Sequence, residues 1–187
     1  MAVIGPIKDQ PMTLPLHKVV SWATLNTSGE NFKIMIVRKM LPQEFDSTMV
    51  LVKYYIDEAG ENMPQILEQY DENSVIDTIR IYASSWGRTW INLYDNSRPV
   101  GFIAGFITPC AWNKDILDAN VSFIYVLDSH RNIDNLRELV KAFEEWSKTF
   151  NAKTITAGDM GINPERFQRV FESMGFKPRL LLARGVE

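Results

Sequence analysis

Several things are scarce in this chain, and each scarcity excludes a class of protein. Of 187 residues one is cysteine, Cys110, which rules out an internal disulfide framework and any zinc site built on several thiolates. The two histidines stand in no motif with that thiol, so Cys110 reads as a small buried hydrophobe rather than a nucleophile. Basic excess is missing too. The 20 Lys and Arg against 23 Asp and Glu give a net charge of −3, whereas a general binder of nucleic-acid backbone carries the opposite balance. No apolar run approaches the roughly 20 residues of a membrane span, and the opening MAVIGPIKDQ lacks the basic-then-apolar order of a secretory leader. These absences lead to the expectation of an intracellular, cytoplasmic protein with no metal site that binds neither nucleic acid nor membrane.

The composition that remains, 45% hydrophobic and 23% charged, is that of an ordinary globular domain with one core. Residues 1–30 are punctuated by Gly5, Pro6, Pro11, Pro15 and Gly29 and hold no sustained period. They read as an extended N-terminal arm. Ile4, Ile7, Leu14, Leu16, Val19, Val20 and Trp22 give the arm apolar material to bury, either on its own domain or on a protein partner.

Residues 31–187 read as a single domain. Phe32–Val37 predicts a strand, and Pro42 opens a helix in which Phe45, Met49, Val52 and Ile56 recur at helical spacing. Asp71–Ser84 predicts a second helix, with Val75, Ile79 and Tyr82 on one side. Thr89–Tyr94 and Pro99–Ile107 flank the turn residues Asp95–Arg98 and form a hairpin. Val121–Val126 adds a strand that runs into a helix whose stripe is Leu136, Leu139, Val140, Phe143, Trp146 and Phe150. Lys153–Ala157 is a short strand. Asn163 and Pro164 then start a helix with Phe167, Val170, Phe171 and Met174 inward and Gly175 at its stop, and Arg179–Arg184 closes the chain. The order is β-αα-β-β-β-α-β-α-β, an α/β (α+β) domain on a central mixed sheet.

Two stretches in that order carry a resemblance. Tyr125-Val-Leu-Asp-Ser-His-Arg131-Asn-Ile-Asp-Asn-Leu136 runs a strand into a helix through a turn with one arginine, and Phe171-Glu-Ser-Met-Gly175-Phe176 ends the last helix. Together they resemble the GCN5-related N-acetyltransferases (GNAT), whose acyl-CoA N-acyltransferase fold has this element order. The resemblance implies that strands 121–126 and 153–157 lie parallel and splay, with acetyl-CoA in the gap and a primary amine as acceptor. It places donor binding on the backbone of Ile124, Tyr125 and Val126, on Arg131, and on the N–H groups of Asn132 and Ile133. It also implies that Arg131 points into the cleft.

The chain departs from the family pattern at three places. The phosphate turn has Asn132, Asp134 and Leu136 in place of small residues. Phe171 stands at the position of an acidic tyrosine, and Val121–Val126 holds no carboxylate. No catalytic residue is therefore named. Asp118, Asp128 and Asp159 flank the strands and could act through water, while His130 sits beside the turn. The rival expectation is an inactive GNAT-like interaction protein in which Asp134 caps the helix and the arm contacts a partner. Divergent GNAT-like proteins of this size occur in tailed bacteriophages, some among virion genes. That likeness implies host cytoplasm or the virion as the location.

Overall fold

A computed structural model describes residues 20–24, 33–158 and 164–178 of the chain. The expected final strand at 179–184, the cap Asn163, Asp159 and most of the arm lie outside the described residues. The elements follow in order: β1 Val20–Thr24, β2 Lys33–Lys39, α1 Phe45–Asn62, α2 Pro64–Glu68, α3 Glu72–Ser84, β3 Arg88–Asp95, β4 Arg98–Cys110, β5 Asn113–Val126, α4 Ile133–Lys148, β6 Thr154–Ala157 and α5 Pro164–Glu172. The expected mixed sheet is present, in the spatial order β1-β2-β3-β4-β5-β6. Every neighbouring pair is antiparallel except β5 and β6, which run parallel. The stretch read as an extended arm contributes β1, whose Val20 stands opposite Val37.

Period-two alternation sends side chains to two separate cores. On β3, Trp90 joins Phe102, Tyr125, Tyr55 and Ile79 under α1 and α3. Ile91 and Leu93 join Leu139, Phe143, Trp146 and Phe171 under α4 and α5. Trp90 stacks on Phe102 with ring centroids 4.8 Å apart, an offset geometry that adds to the burial of both rings. Asn92 lies fully buried and is satisfied. It accepts from Trp90 Nε1 at 2.9 Å and donates to Thr48 Oγ1 at 2.8 Å, so it ties α1 to β3.

Helix ends follow local chemistry. The Asp71 carboxylate accepts from the Ser74 N–H at 2.7 Å and starts α3. Gly175, at φ +88°, ends the segment after α5, and the Phe176 N–H returns to the Phe171 carbonyl at 3.1 Å.

β4 and β5 form a hairpin longer than the sequence suggests, because Asn113–Asn120 is too polar to read as a strand. Its register holds one irregularity of consequence. Ala104 stands opposite Phe123 and Gly105 opposite Val121, which leaves Ser122 as an extra residue. Such a bulge bends its strand. Gly105 makes the close approach possible. A Cβ there would run into the Asn120 carbonyl and lie 2.6 Å from the Phe143 ring. Gly105→Ala is therefore expected to cost about 1–3 kcal/mol through overpacking, measured by denaturant unfolding. Unchanged stability would show that the bulge relaxes freely.

Candidate functional site at the end of the β5–β6 ladder

The bulge lies beside the end of the parallel ladder. β6 pairs with β5 only from Asp118↔Thr154 to Val121↔Ala157, so the parallel ladder stops one residue before Ser122. Beyond it, Phe123–Val126 stays paired to β4 on its other side. The expected parallel neighbours are present, paired over the whole of β6, and β5 runs on past its end. The Leu127 N–H donates to the Val100 carbonyl at 2.9 Å, which fixes the alternation of the strand. Tyr125 turns its amide groups towards β4, and Ile124 and Val126 turn theirs towards the gap. Of the three expected strand residues, Ile124 and Val126 thus carry their main chain on the β6 side, where the Val126 carbonyl is taken by Arg131. Tyr125 instead packs its ring in the core under α1.

Arg131 does something the sequence does not disclose. Its guanidinium makes a two-pronged pair with Glu58 of α1, both contacts at 2.7 Å, and caps the Val126 carbonyl through Nε at 3.1 Å and NH2 at 3.0 Å. A bidentate fork of this kind is the strongest ion-pair geometry available to arginine. The side chain thus lies along the C-terminal end of β5 and is committed to a protein carboxylate. The Tyr125 hydroxyl donates to the same Glu58 at 3.0 Å. The Arg131 hydrogen bonds hold the Glu58 carboxyl below its ordinary value despite its partial burial, and burial with the facing carboxylate pushes the Tyr125 phenol up. Glu58 lies 73 residues from its partner, and no spacing rule connects them.

The turn is closed by its own side chains. The N–H groups of His130 and Arg131 donate to Leu127 and Asp128 carbonyls at 2.8 and 3.1 Å. Asn132 is the cap of α4, its side chain accepting from the Asn135 N–H at 2.8 Å. The buried Asn135 amide donates to the His130 carbonyl at 2.7 Å. Asp134, the cap that the rival, inactive reading expects, lies in the first turn and faces Arg137 at 3.4 Å. Asn outcompetes it because only the residue before the helix has the extended backbone that aims a short side chain back at the third amide. Ile133 supplies the first helical residue.

The remaining candidates are placed as follows. His130 Nε2 lies 2.8 Å from Asp95 and pins the turn to the β3–β4 hairpin. Asp118 takes the Thr154 hydroxyl, and Asp128, 95% exposed, stands 3.8 Å from Arg131. Phe171 is buried, stacked on Phe167 at 4.1 Å, so α5 offers no acid at that position. Cys110 is half-buried at the end of β4. Among the described residues no group of three His, Cys, Asp or Glu side chains is placed to hold a metal, and no helix is long and apolar enough to cross a membrane.

No family model and no curated protein sequence matches the chain. Solved structures do. A GCN5-related N-acetyltransferase from Ralstonia eutropha superposes with a TM-score of 0.65 at 13% identity, over 81% of this chain and 98% of that one. The fold is that of the GCN5-related N-acetyltransferases. The aminoglycoside acetyltransferase AAC(6')-Iy, solved with a bisubstrate analogue of CoA, matches with a TM-score of 0.62 at 16% identity, over 81% of this chain and 98% of that one. A Bacillus halodurans protein described as a transcriptional regulator matches with a TM-score of 0.65 at 15% identity, over 82% and 99%. At these identities the GNAT likeness is one of fold.

Glu58→Gln gives the site's stability prediction. A carboxyl whose folded pKa is depressed contributes stability above its ordinary value of 4.5, and this is lost as pH falls through the folded value. The variant is expected to lose about 1.5–3 kcal/mol at neutral pH and to show a flatter decline of stability below pH 4.5 than the parent. Parallel acid-unfolding curves would contradict this.

Proposed function

We propose that this protein is a GNAT-type N-acetyltransferase that moves an acetyl group from acetyl-CoA to a primary amine, with the donor held in the β5–β6 gap by a reduced set of contacts. The observation that supports the reading is the end of the β5–β6 pairing at Val121, with the main chain of Ile124 and Val126 lying beyond it on the β6 side. An amide-bearing pantetheine arm is a strand mimic and pairs with such main chain as an added strand does. The donor phosphates would lie at the start of α4, near the Asn132–Ile133 main chain, where the helix dipole favours an anion. The amine must reach the thioester unprotonated, so a base or a water led by one is required.

The reduced contact set sets the expected affinity. A charge-assisted hydrogen bond is worth about 1.5–3 kcal/mol, and micromolar binding corresponds to about 8 kcal/mol. With Arg131 engaged by Glu58, the donor binds more weakly than it would to a free guanidinium. A second reading rests on that same pair. If the Arg131–Glu58 fork and the Asn132 cap are permanent, the chain is an inactive GNAT-like scaffold that works through its surface. The arm at 1–30 would then be its contact, as in a phage virion component.

Titration calorimetry with acetyl-CoA, followed by a thiol-release assay with primary amines, separates the two. Acetyltransfer predicts binding, a several-fold loss of affinity in Arg131→Ala, and a gain in Glu58→Gln as the guanidinium is released. No detectable binding by parent and Glu58→Gln alike would favour the scaffold.

A further inference from the structure

The β5 bulge, next to the last β5–β6 pair, holds a hydroxyl pair that neither the fold likeness nor the sequence motifs assign. Ser122, the extra residue of β5, is half-buried. Its Oγ lies 2.8 Å from the hydroxyl of Tyr82, a residue of α3 that is only 8% exposed. The Tyr82 ring is fixed on two sides, by Phe123 at 6.0 Å and by the Arg88 guanidinium at 5.3 Å. The neighbouring polar groups on this part of β5 and β6 are neutral. Thr156 donates to Asn120 at 2.7 Å, and Asn120 donates to Thr108 at 3.0 Å. Asp118, a carboxylate of the same strand, stands four positions from Ser122, about 13 Å at the rise of a strand, and is engaged by Thr154.

A bulge turns one side chain out of the regular alternation. Here it places a hydroxyl at the residue after the last β5–β6 pair and backs it with a second, more deeply buried one. We propose that Ser122 gives its proton to the leaving thiolate and that Tyr82 acts through Ser122, replenishing that proton. The inference rests on the acetyltransfer reading and supplies the acid that Phe171 cannot. The amine nitrogen bonds the acetyl carbon and the carbon–sulfur bond breaks. The departing sulfur takes the Ser122 proton, Ser122 takes that of Tyr82, and the proton shed by the amine returns to Tyr82 through water. The products are the amide and free CoA thiol, with every group of the protein restored.

The test uses the full chain with acetyl-CoA and a panel of amino sugars, polyamines and peptide N-termini, comparing parent, Ser122→Ala, Tyr82→Phe and the double variant. Each single variant is expected to lower kcat about 100-fold, the low end for a lost general acid. Acetyl-CoA affinity should stay within about twofold of the parent, and the basic limb of the kcat profile should flatten. The double variant should be no worse than Ser122→Ala, because groups acting in series are not additive. Ser122→Thr should retain most activity, and it keeps the test available if Tyr82→Phe folds poorly. Unchanged kcat, a change in KM alone, or independent additive losses overturn the relay. So does a parent that binds acetyl-CoA yet releases no thiol with any of these amines. A parent that does not bind acetyl-CoA overturns the acetyltransfer reading itself, and the relay with it.

Discussion

A strand with one residue more than its neighbour shifts register at that residue, and Ser122 is that residue in β5. The ladder to β4 is kept on both sides of it, because Phe102, Ile103 and Ala104 bury completely against it. The ladder to β6 ends one residue earlier, at Val121, together with β6 itself at Ala157. The proposed donor site lies beside both. Gly105 is the bulge's silent partner, since a side chain there would collide with the Asn120 carbonyl and the Phe143 ring.

At the other end of β5 a different balance operates. Arg131 satisfies the Val126 carbonyl and Glu58 together, which anchors α1 to the end of the strand. The same commitment withdraws a guanidinium from any ligand. A half-buried pair of this kind contributes modestly to stability when intact, and breaking it leaves a charge uncompensated. In the proposed reading, acetyl-CoA binding is coupled to α1 through this one ion pair. A ligand phosphate draws Arg131 away only if it offers more than Glu58 does.

Much of the architecture is legible in the sequence because it rests on local chemistry. Helical spacing at Leu139, Val140, Phe143 and Trp146, the start of the second helix at Asp71 and the Gly175 stop each act over a few residues, and each is found in the structure. The site is less legible. Glu58 meets Arg131 across 73 residues, and Tyr82 meets Ser122 across 40. Both are polar side chains on helices that a sequence reading assigns to solvent or core. The bulge leaves no mark either, since the extra residue changes register without changing the apolar character of Val121–Val126. At the α4 entrance the chemistry was visible but its owner was not. Asp134 and Asn132 are both competent caps, and only the backbone conformation of Asn132, φ −140° and ψ 166°, decides between them.

Amide hydrogen exchange with and without acetyl-CoA tests the central claim most directly, because the claim concerns particular main-chain groups. The account predicts that added acetyl-CoA slows exchange at Ile124 and Val126 and in the first turn of α4, and leaves Tyr125, already paired to β4, unchanged. Protection confined to other parts of the chain, or none at saturating acetyl-CoA, would contradict it.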